Sequence, residues 1–386
     1  MPIASGEDLD PPRAWRMHRL TVRRGQSALP SAADAVRDLA DQIGQDDAAL
    51  ALVFVGAGYD LQVVGRALRE AFACPILACT TAGEIGPQGY CHGTLLGVTL
   101  SSDEIHVRTE FLPSLRDFVT HGRAEPAWAV SAARDARRFA LVLLDGMSML
   151  EDQVIALLQG QCDGIPVVGG SAGDHLRFQA SAVYHDGAFH TGAGVVAVVE
   201  TTLPFTTFMV QHFEPTSDRL AITAATPDTR CVQEIFGAPA ATEYARLIGV
   251  SREALTPAVF AANPVMLRVG GQYYVRSIQR ANPDDSLTFY CAIDNGLVLT
   301  LARPTDLAAS LESVLASVRA QMPDLALLVG FDCVLRRLEL ERTASSDRLG
   351  HILSDYPFAG FSTYGEQLNG LHMNHTLTGL ALGGRA

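Results

Sequence analysis

Three acidic residues, Glu84, Asp174 and Glu366, each follow a glycine at the end of an apolar stretch. Carboxylates so placed could converge on a cation, a metal or an amino-bearing ligand, or each could accept backbone amides of its own loop. Gly170, Ser171, Gly173, Thr363, Tyr364 and Asn374 lie beside the second and third acids and would add convergent polar groups to a ligand pocket there. His372 and His375 offer two imidazoles; three positions apart, they fall on opposite faces if the segment is a strand, so one of them faces a given pocket. A hydrolase would need Ser171, or Cys79 with His92 nearby in sequence, as its nucleophilic machinery. Neither surrounding matches a nucleophile elbow or a Cys-His signature.

All 29 basic residues are arginine. The absence of lysine removes the Schiff-base lysine, the P-loop lysine and the kinase lysine together. A net charge of -13 opposes binding to a phosphate backbone, so nucleic acid is not an expected partner. The seven cysteines form no Cys-x-x-Cys and no zinc spacing, as expected of reduced, buried thiols. No apolar run reaches the roughly 20 residues that span a bilayer and no signal peptide is evident, which predicts a cytoplasmic protein without a membrane partner.

These residues must be positioned by a repeated element. Shifted by 282 positions, residues 75–100 lie on 357–382 without a gap and with eight identities, including Gly83/Gly365, Glu84/Glu366 and Thr94/Thr376. A looser third copy starts at Pro166, passes through Gly170, Ser171, Gly173 and Asp174, and ends in the apolar run 194–199. Upstream of the copies, residues 49–55, 139–144 and 325–329 read as strands. Leu61, Val64, Leu68 and Phe72, and then Leu150, Val154, Leu157 and Leu158, have helical spacing. The third copy has a polar connection, 336–354, with helical pattern only near Leu349, Ile352 and Leu353, and reads as diverged. Strand, helix and strand in this order predict an α/β fold of repeated parallel crossovers in mixed sheets. Ligands in such folds sit beyond the carboxyl ends of strands. Residues 231–249 read as helix, 265–301 as a β-meander and 307–318 as helix, with a domain boundary near 216–225.

Residues 170–174 (Gly-Ser-Ala-Gly-Asp), the turns at 285–287 and 295–296, and residues 361–366 leading to 374–378 resemble the FIST sensory domains. The resemblance implies two domains, a FIST N-terminal domain at 15–222 and a FIST C-terminal domain at 223–386, after an N-terminal extension at 1–14. It implies an input protein in signal transduction that binds a small-molecule or gas ligand and passes the signal to a separate enzyme, such as a histidine kinase or a cyclic-di-nucleotide enzyme. A homodimer is the expected assembly, and catalysis is not expected. The two-domain layout is similar to the haem-binding, nitric-oxide-sensing subgroup. That similarity implies haem b, with His375 or His372 as the iron ligand and His185, His190 and His212 as further candidates. Cys74-Pro75 has the form of a haem-regulatory pair, but Pro75 also opens the next strand. A sensor of a small metabolite such as an amino acid, without haem, is the alternative.

Overall fold

The structure is a computed structural model describing residues 20–122, 136–162, 164–343 and 345–384. The expected extension 1–14 lies outside these residues. The first unit comprises β1 (Thr21–Ser27), α1 (Ala32–Ile43), β2 (Leu50–Val55), α2 (Leu61–Ala71), β3 (Ile76–Thr80), β4 (Glu84–Gly86), β5 (Gly89–Cys91) and β6 (Leu95–Ser101). The second repeats that order as β7 (Ile105–Leu112), α3 (Leu115–His121), β8 (Arg137–Leu144), α4 (Glu151–Gln161), β9 (Val167–Ser171), β10 (Val183–His185), β11 (Ala188–His190) and β12 (Gly194–Thr201).

The third unit opens with β13 (Phe205–Gln211) and is then interrupted by an inserted sheet. The insertion holds β14 (Phe213–Thr226), β15 (Cys231–Ile235), β16 (Ala238–Pro239), α5 (Ala240–Ile248), α6 (Pro257–Ala262), β17 (Val265–Val269), β18 (Gln272–Arg276), β19 (Ile278–Ala281), β20 (Leu287–Phe289) and β21 (Val298–Pro304). The unit resumes with α7 (Leu307–Gln321), β22 (Leu325–Cys333), α8 (Val334–Arg342), α9 (Ser346–Ser354), β23 (Phe358–Thr363), β24 (Glu366–Leu368), β25 (Leu371–Met373) and β26 (Thr376–Gly383).

In every unit the central strand pairs in parallel with the strand after its helix and antiparallel with the last strand, as in β2 with β3 and β6. The same holds for β8 with β9 and β12, and for β22 with β23 and β26. The short hairpin after each glycine-acid corner does not stay in its own sheet. Hairpin β4–β5 joins β23, β10–β11 joins β3, and β24–β25 joins β9. Three six-stranded sheets thereby close into a ring, each completed by a hairpin from another unit.

Alternate residues of the central strands meet in one shared core, including Leu50, Leu52 and Phe54, Phe139, Leu141 and Leu143, and Val329 and Phe331. The intervening residues face outer helices, as Ala51, Val53 and Val55 face α1 and α2. Burial on both faces explains the unbroken apolar runs in the sequence. The insertion has a separate core around Leu220, Val232, Tyr244, Phe260 and Leu299.

Three local expectations change. The polar connection of the third copy is two helices, α8 and α9; Arg336 and Arg337 lie on the buried face of α8 and mask its periodicity. Residues 231–249 form β15 and β16 before α5, not one helix, because buried Val232 and Ile235 belong to a strand paired on both sides, with β14 and with β20 and β16. Residues 222 and 223, where the sequence places a division, both lie within β14.

Gly83 has φ +136°, and a Cβ there would stand 1.4 Å from Nη1 of Arg337, whereas Gly58, at φ +113°, has open space around it. Gly83→Ala is expected to destabilise the protein by about 1–3 kcal/mol more than Gly58→Ala in denaturant unfolding, since only the first adds a displaced buried arginine to the backbone strain.

Candidate functional site

The corners meet at the centre of the ring. Gly173 N–H donates to Thr80 O, Ala82 N–H to Ser362 O, and Ser171 N–H to Gly365 O, at 3.0, 2.9 and 2.9 Å, so each corner is bonded to another. The sequence-derived ligand residues are therefore brought together, but as a packed seam. Ser171 is fully buried with its Oγ accepting from Gln367 Nε2 at 2.8 Å. The Thr363 hydroxyl donates to Ser171 O at 2.7 Å, and a Cβ on Gly170 would meet Phe331, Phe361 and Thr363. Asn374 is buried, with no hydrogen-bond partner at Nδ2 or Oδ1. Four cavities among the described residues, lined around Phe260, Gly350, Tyr184 and Ser148, include none of Gly170, Ser171, Gly173, Asp174, Thr363, Tyr364, Glu366 and Asn374.

The three acids hold their own loops. Glu84 accepts Thr94 N–H and Oγ1–H at 3.0 and 2.8 Å, and Glu366 accepts the same groups of Thr376 at 3.1 and 2.7 Å. Asp174 accepts the amides of Phe178, Gln179 and Ala180. They do not converge, and among the described residues no group of three or more His, Cys, Asp or Glu is placed to hold a metal ion. Cys79 is also fully buried, and burial raises its thiol well above the usual range. His92 bonds Arg337 instead of Cys79. Neither Ser171 nor Cys79 is presented as a nucleophile.

One sequence-derived residue does reach a cavity. Between the insertion and the third unit lies a cavity of about 270 Å³, partly open to solvent. Its walls are Phe260, Ala261 and Ala262 of α6, Ile278, Tyr290, Pro304, and Leu335 and Leu338 of α8, with Glu339, Arg342 and Ser277 as polar members and His375 at its floor. Apolar walls with a few polar groups at a junction between two folded bodies are the usual make-up of a ligand site.

His375 occupies a position that the other units fill with glycine. Register places it opposite Gly93 and Gly192, and the three share φ values of +58°, +65° and +62°. A left-handed backbone suits glycine and strains other residues. His375 is 0% exposed; its Nδ1 lies 3.1 Å from Ser277 Oγ and its Nε2 has no hydrogen-bond partner. Burial, then His212 nearby, push its pKa down to about 3, so the ring is neutral and keeps a lone pair. Of the two histidines only His375 lines this cavity, although the segment is not one strand: β25 ends at Met373 and a left-handed turn follows at His375. His372 is buried beside Gln367 Nε2 and does not line the cavity, while His185 and His190 lie against Phe111.

Behind the cavity runs a buried polar chain. Tyr90 donates to Asp332 at 2.8 Å, Arg336 Nε donates to Asp332 at 2.6 Å, and Arg336 Nη1 lies 3.2 Å from His212 Nδ1. Arginine cannot accept, so His212 Nδ1 is the acceptor and its Nε2–H donates to Glu339 at 2.9 Å. Burial opposes ionisation of Glu339, but His212 outweighs it and holds the carboxyl below its usual range. Asp332 stands at the register of Val55 and Leu144 in the other units. Register comparison between the copies is the signal that would have revealed Asp332, and it also sets His375 apart.

The neutral, unpartnered nitrogen of His375, with Ser277 fixing the other nitrogen and Arg342 available for an anionic edge, fits the donor set of a haem site. Because His375 is fully covered, ligation requires the lining side chains to part around Nε2.

The FIST N domain matches residues 49–238 and the FIST C domain matches residues 240–369. The chain belongs to the FIST family. FIST domains are sensory domains of signal transduction that bind small ligands. His375 lies beyond the matched FIST C residues. No curated protein matches the sequence. A solved structure, cyanuric acid hydrolase from A. caulinodans, is 14% identical over 47% of this FIST chain and 71% of its own, with a TM-score of 0.25, too slight a likeness to bear on fold or activity.

Two outcomes follow from the burial. The unfolded chain protonates His375 as pH falls through about 6.5 and the folded protein does so only near 3, so its contribution is present above 6.5 and is lost on acidification. Between these limits stability should fall with pH by up to about 1.4 kcal/mol per unit more steeply in the native protein than in His375→Gly, read by denaturant unfolding across pH. Arg336 and Asp332 are both 0% exposed; Arg336→Met should cost about 3–5 kcal/mol, and the double variant Asp332→Val/Arg336→Met distinctly less.

Proposed function

We propose that this FIST protein is a cytoplasmic sensor whose ligand occupies the junction cavity. The occupant is haem b held through His375, nitric oxide is the signal, and the output is a separate enzyme such as a histidine kinase. The observation that carries this reading is His375 itself. A histidine is kept, at a cost of about 1 kcal/mol or more, where sibling corners use glycine. Its neutral ring also ends in a nitrogen that no protein group satisfies.

In this reading the residues lining the cavity divide the work. Ser277 orients the imidazole, apolar side chains of α6 and α8 exclude water, and Arg342 offers a guanidinium to a carboxylate edge. Haem, when bound, supplies an iron coordination position that a diatomic gas can take. Ligand exchange there would be felt by α8, which forms one wall.

Titration with haemin is expected to give a Soret band that shifts with nitric oxide. His375→Gly should fold, because the sibling corners carry glycine, and should lose the native iron coordination; His372→Gln should keep it. A colourless protein after titration, or unchanged spectra in His375→Gly, would reject the assignment. Glu339 and Arg342, opposite charges on one wall, favour a second reading, a small zwitterionic metabolite such as an amino acid. In that case the metabolite at 100 times its dissociation constant should stabilise the haem-free protein by about 2.7 kcal/mol in thermal unfolding.

A further inference from the structure

The second unit differs from the others directly after its glycine-acid corner. Glu84 and Glu366 begin β4 and β24 at once, whereas residues 175–182 intervene between Asp174 and β10. Within this loop His175, Leu176 and Phe178 have φ values of +58°, +63° and +50°. Three left-handed non-glycine residues among four cost on the order of 1–3 kcal/mol each and persist only where surrounding contacts hold them.

The holding contacts come from the third unit. Tyr364 donates its hydroxyl hydrogen to Asp174, accepts the Leu176 amide at 2.9 Å, and stacks its ring on Phe178 at 4.7 Å. Burial works against ionised Asp174, but the Tyr364 hydroxyl and the amides of Gln179, Ala180 and Phe178 outweigh it and keep the carboxylate charged. Tyr364 and Asp174 thus hold the left-handed part of the loop, while its end is tied down separately, Ser181 to Asp145 and Ala182 to Thr80.

Its inner and outer sides face different things. Leu176 and Leu335 pack against one small apolar cluster, Ala82, Val334 and Tyr364, and Leu335 also lines the junction cavity. His175 meets His92 edge-on at 4.8 Å, and His92 is bonded to Arg337 of the same helix. Phe178 is 41% exposed on the outer side, and Met147 and Met149 on the preceding loop are 36% and 45% exposed.

We propose that residues 175–181 are a switch loop, clamped by Tyr364 and coupled through α8 to the junction cavity, so that filling the cavity changes how the loop presents Phe178 at the surface. This rests on the reading that a ligand enters that cavity. Side chains on one helix that serve both cavity and loop give the ligand a differential contact with two loop states, which is what coupling requires.

Hydrogen exchange of the full chain tests it. Tyr364→Phe removes two hydrogen bonds and should speed exchange of the 175–181 amides by about tenfold or more, with β2 and β8 unchanged. Filling the cavity, with haemin or by Ala261→Trp, should change the same amides by roughly threefold or more; Leu338→Trp replaces Ala261→Trp if that variant does not fold. Unchanged loop exchange in Tyr364→Phe overturns the clamp. Unchanged loop exchange when a Soret band or a buried tryptophan shows the cavity filled overturns the coupling. If haemin does not bind but the tryptophan variant moves the loop, the haem assignment falls and the switch stands.

Discussion

Everything in this molecule depends on the exchange of hairpins around the ring. Each corner must leave its own sheet in a fixed direction, and backbone bonds between Gly173 and Thr80, Ala82 and Ser362, and Ser171 and Gly365 set that direction. Once set, the sheets have their inner faces turned on one another and share a core to which all three units contribute. The corners that look most like a binding site in the sequence are occupied in holding the ring shut. Their glycines serve close approach, and their carboxylates serve the amides of their own loops.

Function then falls where the threefold likeness is broken. The third unit receives an inserted sheet, and there Asp332 replaces an apolar residue, Arg336 is fully buried, and His375 replaces glycine. Buried charge is expensive, and a chain from Tyr90 through Asp332, Arg336 and His212 to Glu339 offsets the cost by pairing every member with another. The insertion adds its own tethers. Arg230 reaches Glu151 and Asp152 at the start of α4, and Arg276 donates to His372 O at 2.7 Å. The cavity lies between bodies that are fastened at several points rather than hinged at one.

Much of this was legible in the sequence and some of it could not be. The repeats were visible because two-sided burial leaves apolar runs and because Gly83-Glu84 and Gly365-Glu366 punctuate them identically. Which sheet a hairpin joins leaves no mark on periodicity, so the packed seam at Ser171 and Thr363 read as an open pocket. Helix α8 was lost because Arg336 and Arg337, buried by pairing, look like solvent-facing residues in a pattern reading. His375 stood out as a candidate, yet its setting depends on Ser277 and on α6, which reach it only through the tertiary fold.

The hairpin exchange also bears on what a domain name means here. The stretch matched as FIST N contains β4 and β9, the one seated on β23 and the other receiving β24, and both of those partners belong to the stretch matched as FIST C. Severed between residues 238 and 240, the first piece would carry an orphan hairpin and a bare strand edge, and the second would carry their complements. The two halves are a clasp and its eye, so expression of either alone should yield sticky, unfinished sheet.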